Sequence, residues 1–328
     1  MPAVSVLMVF HQVTPFFQPA VQSVLGQTFR DLELVLVDNG SGLGLAPLGE
    51  LAEDPRLRLV SLPANEGIPQ GHNRALRHAR GQYIVLLDYD DIALPHRVER
   101  QVGMLRADPR LGLVSSRAAA IDERGMVLGP EFSLLGEQEQ YVYSAYTTPV
   151  VTPAYAGRRE VFERFPYRPE FPHAGDYDFL ARAAEAWPMR GVSEVLLHYR
   201  RHSGQATRQH LASQILSACM IRLITARRRH GRAEDLSGVV TALGPWLQEP
   251  PPPAEAYARF ARWSLREGFA PLAVYHARKL LAARRDARSC LLALQVLGRA
   301  LRMAPRAGAL LLRLFFTGPV RAHGLKPA

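Results

Sequence analysis

The densest chemistry in the chain is Leu87-Asp88-Tyr89-Asp90-Asp91, three carboxylates within four positions behind an apolar run. Carboxylates held that close repel one another unless a cation sits among them. Hard divalent cations such as Mg²⁺ or Mn²⁺ take carboxylate oxygens and keep coordination positions for phosphate oxygens. The same spacing equally describes an acidic turn, with Asp91 capping a helix at Pro95. A second polar cluster, Asp38-Asn39-Gly40-Ser41, also follows an apolar run, and it doubles as good turn chemistry.

Both clusters need elements that aim them. Short apolar runs at Ser5–Phe10, Leu32–Val37, Leu57–Leu62, Tyr83–Leu87 and Leu111–Val114 read as buried strands. Between them, Pro15–Gln27, Ile68–Arg80 and Pro95–Leu105 space their apolar residues as helices do. Strands alternating with helices imply βαβ units and a mostly parallel sheet. In open α/β sheets ligands collect at the carboxyl ends of the strands, which is where both acidic clusters fall. Residues 121–199 are less regular, with a helix at Asp178–Ala186 and a strand at Val192–Tyr199.

After about Gly204 the sequence turns Ala-, Leu- and Arg-rich and helical. The expected organisation is an α/β domain over 1–205, a helical connector over 206–249 and a helical region over 250–328, opened by Pro250–Pro253. About three amphipathic helices are expected over Glu255–Leu314. The formal charge of +10 is uneven: 20 Lys and Arg stand against 6 Asp and Glu from Gln205 on, and 20 against 24 before it. Arg299, Arg302, Arg306 and Arg313 repeat at helical spacing, with Pro305 interrupting. Contact with something anionic is implied, a membrane surface or a phosphorylated acceptor, beside the plainer reading of a solvated basic face.

Two cysteines, Cys219 and Cys290, cannot make a disulfide framework, and no Cys/His cluster suggests zinc. The first apolar run lacks a preceding basic stretch, so a buried strand is expected there rather than a signal peptide. No apolar run approaches the roughly 20 residues that span a bilayer. Cytoplasmic residence is expected, with the basic helices able to meet the inner face of a membrane.

Several stretches, in order, resemble family 2 glycosyltransferases, which have the GT-A fold. They are Ser23-Val24-Leu25-Gly26-Gln27-Thr28-Phe29, Val37-Asp38-Asn39-Gly40-Ser41, Asn65-Glu66-Gly67 through Asn73, and Gly81-Gln82-Tyr83-Ile84 leading into the Asp88-Tyr89-Asp90 motif. Gly175-Asp176-Tyr177-Asp178 and Tyr199-Arg200-Arg201-His202 complete the set, and the likeness covers roughly residues 3–207.

The resemblance implies a GT-A-type, Rossmann-like α/β fold with an α-helical C-terminal extension. It implies inverting sugar transfer from a nucleoside-diphosphate sugar, with Mg²⁺ or Mn²⁺, to a glycan or lipid-linked acceptor in cell-surface polysaccharide or lipopolysaccharide assembly. On the matched positions, Asp38 would meet the donor's base or ribose, Asn73 the diphosphate, and Asp88 the ribose or a metal-bound water. Asp90 and His202 would hold the metal, and Arg200 and Arg201 would pair with phosphate oxygens. Asp176 would be the catalytic base, with Asp178 its rival or a helix cap.

The chain departs from the family pattern at Val9-Phe10-His11-Gln12 on the first strand end. It also departs at His72, where the family often has Arg, and at Gly175, where it has Glu. A non-catalytic nucleotide-sugar binder with the same fold is the alternative. A nucleotidyltransferase would want a Gly-rich basic loop after the first strand, and His11-Gln12-Val13-Thr14-Pro15 is not one. No nucleic-acid reader motif accompanies the basic half.

Overall fold

The alternation of apolar residues decides the architecture, because successive strand side chains point to opposite faces. In the computed structural model, which describes residues 1–131, 136–148 and 150–316 and only the backbone of Arg208 and Arg313, three strands lie at its heart. They are β1 (Val4–Phe10), β2 (Leu32–Asn39) and β4 (Tyr83–Leu86). Val4, Val6, Met8, Leu34, Leu36, Tyr83 and Val85 enter one core, and Leu7, Val35, Val37, Ile84 and Leu86 the other. Both faces are therefore covered. The helices α1 (Phe17–Leu25) and α3 (Arg97–Ala107) pack on the first, and α2 (Ile68–His78), α5 (Arg159–Arg164) and α6 (Gly175–Ala186) on the second.

The remaining strands are β3 (Leu57–Leu62), β5 (Ile92–Ala93), β6 (Leu113–Ile121), β7 (Val127–Glu131), β8 (Ala156–Arg158) and β9 (Met189–Arg200), with α4 at Glu137–Tyr143. The sheet order is β3-β2-β1-β4-β8-β6-β9-β5, and β7 pairs with β6. The pairings β1–β2, β2–β3, β1–β4 and β6–β9 are parallel, whereas β4–β8, β6–β8, β6–β7 and β5–β9 are antiparallel. The sheet is mixed: its long ladders are parallel, as expected, and short antiparallel pairings join them. The βαβ rule holds through β4; after it β6 and β9 pair in parallel, while the short β5, β7 and β8 run antiparallel to their neighbours.

These elements form one compact unit, residues 1–144 with 148–205. A second unit takes residues 145–147 and 206 onward. It holds α7 (Ala206–Gln209), α8 (Leu211–Arg229), α9 (Leu236–Leu243), α10 (Pro245–Gln248), α11 (Pro253–Arg266), α12 (Ala270–Ala283), α13 (Ala287–Met303) and α14 (Gly308–Phe316). Ala261, Ala273, Val274, Ala293, Val296 and Leu311 share its core. Among the described residues four helices follow the prolines, where about three were expected. Proline lacks the N–H an interior turn needs, and α13 stops at Met303 before a separate turn at Pro305–Ala307. Arg306 therefore leaves the helix that carries Arg299 and Arg302, and the Arg313 side chain lies outside the described residues. Among the described residues no helix is long and apolar enough to cross a membrane.

Candidate active site

The acidic tip leaves β4 at the carboxyl end of the sheet. One oxygen from each of Asp88, Asp90 and Asp91 lies within 4.8 Å of the others. At that separation, with an effective dielectric constant near 20, each ionised pair repels by roughly 3 kcal/mol. The carboxyls respond accordingly. Burial, then the charges of Asp90 and Asp176, push Asp88 up to about 7. Burial, then Asp90 and Asp88, hold Asp91 well above the ordinary range. Asp91 Oδ2 is buried with no hydrogen-bond partner. Oxygen donors that repel one another, one of them unpartnered, fit a hard divalent ion.

The closing strand brings the rest. Beyond the tip, β5 pairs antiparallel with β9, Ile92 opposite His198 and Ala93 opposite Leu197. That register carries Arg200 and His202 alongside the tip. His202 Nε2 comes 2.8 Å from Asp90 Oδ2, so the two residues assigned to the metal are brought together. The Arg200 N–H donates to Asp91 Oδ1 at 2.7 Å, so Asp91 does not cap the next helix, whose N-cap position is His96. The Arg200 guanidinium is spent on carbonyls: Nε donates to Asp90 O at 2.9 Å and Nη1 to Asp122 O at 2.8 Å, and the group lies 4.5 Å over the Phe16 ring. It braces the acidic turn. Arg201 pairs instead with Glu131.

Asp176 sits in the first turn of α6, where the helix dipole favours a negative charge. Its Oδ2 accepts the Thr152 hydroxyl, and its Oδ1 accepts the Tyr177 N–H at 2.7 Å. Burial nonetheless outweighs these donors and raises its pKa. Asp88 and Asp176 share one electrostatic environment, since the Asp176 charge helps raise Asp88. The rival Asp178 is 1% exposed and held by two arginines. Arg168 Nε lies 2.9 Å and Arg182 Nη2 2.7 Å from its Oδ2. It lies inside α6 and is not a cap.

Two expected donor contacts have other work. Both Asp38 oxygens face its own loop, Oδ1 accepting from Ser41 N at 2.7 Å and Oδ2 from Gly44 N at 3.0 Å. Burial pushes its carboxyl up, but the Ser41 and Gly44 donors prevail and hold it low. Gly40 makes the same loop possible, with φ at +81° and a would-be Cβ 2.3 Å from the Ala64 carbonyl carbon. Asn73 clamps the backbone of Tyr167, donating to its O at 2.8 Å and accepting its N–H at 3.0 Å. His72 is buried against the Tyr167 ring, and burial pulls its pKa down to about 4. It is therefore neutral at ordinary pH and offers phosphate no pH-dependent charge. At Gly175 a Cβ would stand 3.3 Å from Pro69 Cγ, so the missing Glu matches a tight approach of α6 to α2.

Sequence reasoning gave no role to four supporting residues, two of which, Ser23 and Gln27, it had met only as part of a motif. Arg97, fully buried, donates from Nη2 to Leu86 O at 2.8 Å and supplies a counter-charge to Asp91 and Asp88. Its position just past the acidic motif was a signal. Thr152, the partner of Asp176, lies in an irregular stretch with no such signal. Gln27 and Ser23 tie α1 to the segment after the tip: Gln27 Nε2 donates to Leu94 O at 2.8 Å, and Ser23 Oγ accepts from Ala93 N at 3.1 Å.

Comparison with known proteins bears on this arrangement. The family model described as Glycosyl transferase family 2 matches residues 5–165. An uncharacterized glycosyltransferase of Methanocaldococcus jannaschii, MJ1057, is 29% identical over 207 residues, 61% of this chain and 71% of the relative. Chondroitin synthase of Escherichia coli is 29% identical over 196 residues, 59% of this chain and 28% of the relative. Among solved structures, S. aureus TarS 1-349 matches with a TM-score of 0.58 at 16% identity, covering 100% of this chain and 93% of that one. The same protein has been solved in complex with UDP-GlcNAc. The mannosyltransferase PcManGT of Pyrobaculum calidifontis, in complex with GDP-Man and Mn²⁺, matches at 0.52 and 19% identity, covering 94% and 87%. At these identities the structural likeness speaks to the fold.

Proposed function

We propose, from the premise that this chain belongs to the glycosyltransferases of family 2, that it moves a sugar from a nucleoside-diphosphate sugar to an acceptor hydroxyl with inversion. One observation carries the reading: the Asp88–Asp91 tip, His202 and Asp176 converge on one end of the sheet. The complexes of two fold relatives with UDP-GlcNAc and with GDP-Man and Mn²⁺ support a nucleotide-sugar donor.

Asp90 and His202, with Asp91 Oδ2 and Asp88 beside them, would hold Mg²⁺ or Mn²⁺. When bound, the ion supplies positive charge for the donor diphosphate as it departs. The chain's own residues do the rest. Asp176 takes the proton from the acceptor hydroxyl. The acceptor oxygen forms its bond to the anomeric carbon from the opposite face. The bond from that carbon to the diphosphate oxygen breaks, and its electron pair leaves on the nucleoside diphosphate. A carboxyl with a raised pKa is the stronger base for this work. Thr152 keeps Asp176 in one orientation.

Asp38 and Asn73 take part by shaping the loops around the donor, and Arg200 by bracing the tip. The setting proposed is cell-surface glycan assembly on the cytoplasmic side, with a glycan or lipid-linked acceptor, and the chondroitin synthase relative supports a glycan product. The test is a panel of UDP-, GDP- and dTDP-sugars with Mn²⁺, followed by release of nucleoside diphosphate. Turnover by wild type that is lost in Asp176→Asn is expected. A protein that binds a donor and never cleaves it would be a nucleotide-sugar binder instead.

A further inference from the structure

The second unit carries a concentration of charge that sugar transfer does not use. A cleft of about 690 Å³ is lined by Arg259, Arg262 and Arg266 of α11, by Arg299 and Arg302 of α13, and by the apolar Leu265 and Met303. On α11 the arginines recur at one-face spacing. From Arg259 to Arg266 the helix rises about 10 Å. Arg262, Arg266, Arg299 and Arg302 are exposed and pair with no acidic group among the described residues, and no acidic residue lines the cleft. Arg259 is fixed at one end, donating from Nη2 to Ala242 O at 2.6 Å and lying 4.6 Å over the Trp246 ring.

A solvated basic surface would splay its arginines outward from a convex face. Here two helices set five arginines around one concavity, four of them without an acidic partner among the described residues. We propose that this cleft is a binding site for a ligand bearing two or more phosphate groups spaced along about 10 Å. Guanidinium forks match phosphate oxygens two at a time, which a point charge does not. Leu265 and Met303 offer an apolar contact to the sugar or alkyl part between phosphates. Among the described residues no aromatic side chain lines the cleft for bases to stack on, which disfavours single-stranded nucleic acid. Its concavity disfavours a flat lipid surface.

The test uses the full chain in EDTA, so that no divalent ion draws phosphates to the acidic tip. Inorganic tripolyphosphate is titrated by calorimetry into wild type, into the double variant Arg262→Glu/Arg299→Glu, and into Arg262→Lys/Arg299→Lys. Binding by wild type that weakens about tenfold or more in the Glu pair, and much less in the Lys pair, is expected. Thermal melts and Mn²⁺-dependent nucleotide binding of the variants should match wild type. Should the Glu pair fail to fold, Arg302→Gln is the substitute, with a several-fold loss expected. Equal affinity in wild type and variants overturns the proposal. So does binding to phosphatidylglycerol vesicles without binding to tripolyphosphate, which would make the face a membrane contact. Tighter binding of a single-stranded oligonucleotide, lost in the same variants, overturns it in favour of nucleic acid.

Discussion

Asp176 and Asp178 stand on the same first turns of α6, yet their surroundings assign them opposite work. Asp178 is neutralised by Arg168 and Arg182, while Asp176 receives one hydroxyl and one backbone N–H and is left with a raised pKa. Substitution should separate them. Asp176→Asn is expected to lower kcat by about 10²- to 10⁴-fold with the donor KM little changed. Asp178→Asn should instead destabilise the fold by about 3–5 kcal/mol, since a buried carboxylate gripped by two half-buried arginines loses its charge. Steady-state kinetics and urea unfolding of both proteins check this. An Asp176→Asn enzyme of normal kcat would remove the proposed base.

Asp90→Ala is expected to abolish the metal dependence of nucleotide binding, because Asp90 lies in the acidic cluster and against His202. Calorimetric titration of nucleoside diphosphate with Mn²⁺ and with EDTA should give two affinities for wild type and one for the variant. The same pair of affinities in both proteins would contradict the metal assignment.

Protons and the metal should compete. Asp88 titrates near 7 in the native chain, and the usual carboxylate value is 3.8, so between those values the native state binds more protons than the unfolded one. Without metal this group therefore costs stability as pH rises through that window. His72, held at about 4 against 6.5, acts the other way, adding stability as pH rises from about 4 to 6.5. The difference between melts with and without Mn²⁺ isolates the acidic tip, because His72 contributes to both. The stabilisation by Mn²⁺ should be small at about pH 5.5 and grow towards about pH 8. Asp88→Asn should flatten the trend, and a metal effect independent of pH in wild type would refute it.

Arg97 should be irreplaceable by lysine. Its Nη2 reaches Leu86 O at 2.8 Å and Tyr155 O at 3.3 Å, and its Nε reaches Gln101 Oε1 at 3.1 Å. A single ammonium cannot span those directions. Arg97→Met is expected to cost about 3–5 kcal/mol by leaving Asp91 and Asp88 without their counter-charge, and Arg97→Lys to recover less than half. Thermal and chemical unfolding provide the measurement, and full recovery by lysine would show that charge alone matters.

The strands that aim the site were readable because their apolar runs are short, continuous and bounded by turn residues. Leu57–Leu62 falls where the pattern puts it, and Tyr83–Leu86 ends one residue early. The antiparallel part of the sheet was not readable. β8 is three residues long, and β6 runs on through Ser115, Ser116 and three alanines, which carry no hydrophobic signal. At the site, the acidic tip and Asp176 were legible as residue types in motifs. What their neighbours do was not. Asp38, Asn73 and Arg200 sit in the motifs but turn their polar atoms towards backbone, and only coordinates tell a side chain that faces a ligand from one that holds a loop.

The pairing of β5 with β9 has a bearing on how the protein is made. Asp90 emerges from the ribosome long before His202, so the nascent chain presents a bare acidic loop until the last strand of the sheet arrives. Completion of the proposed cation site thus coincides with closure of the first unit. A fragment ending before Met189 would own all three carboxylates of the acidic tip and still lack the Arg200 brace that holds them.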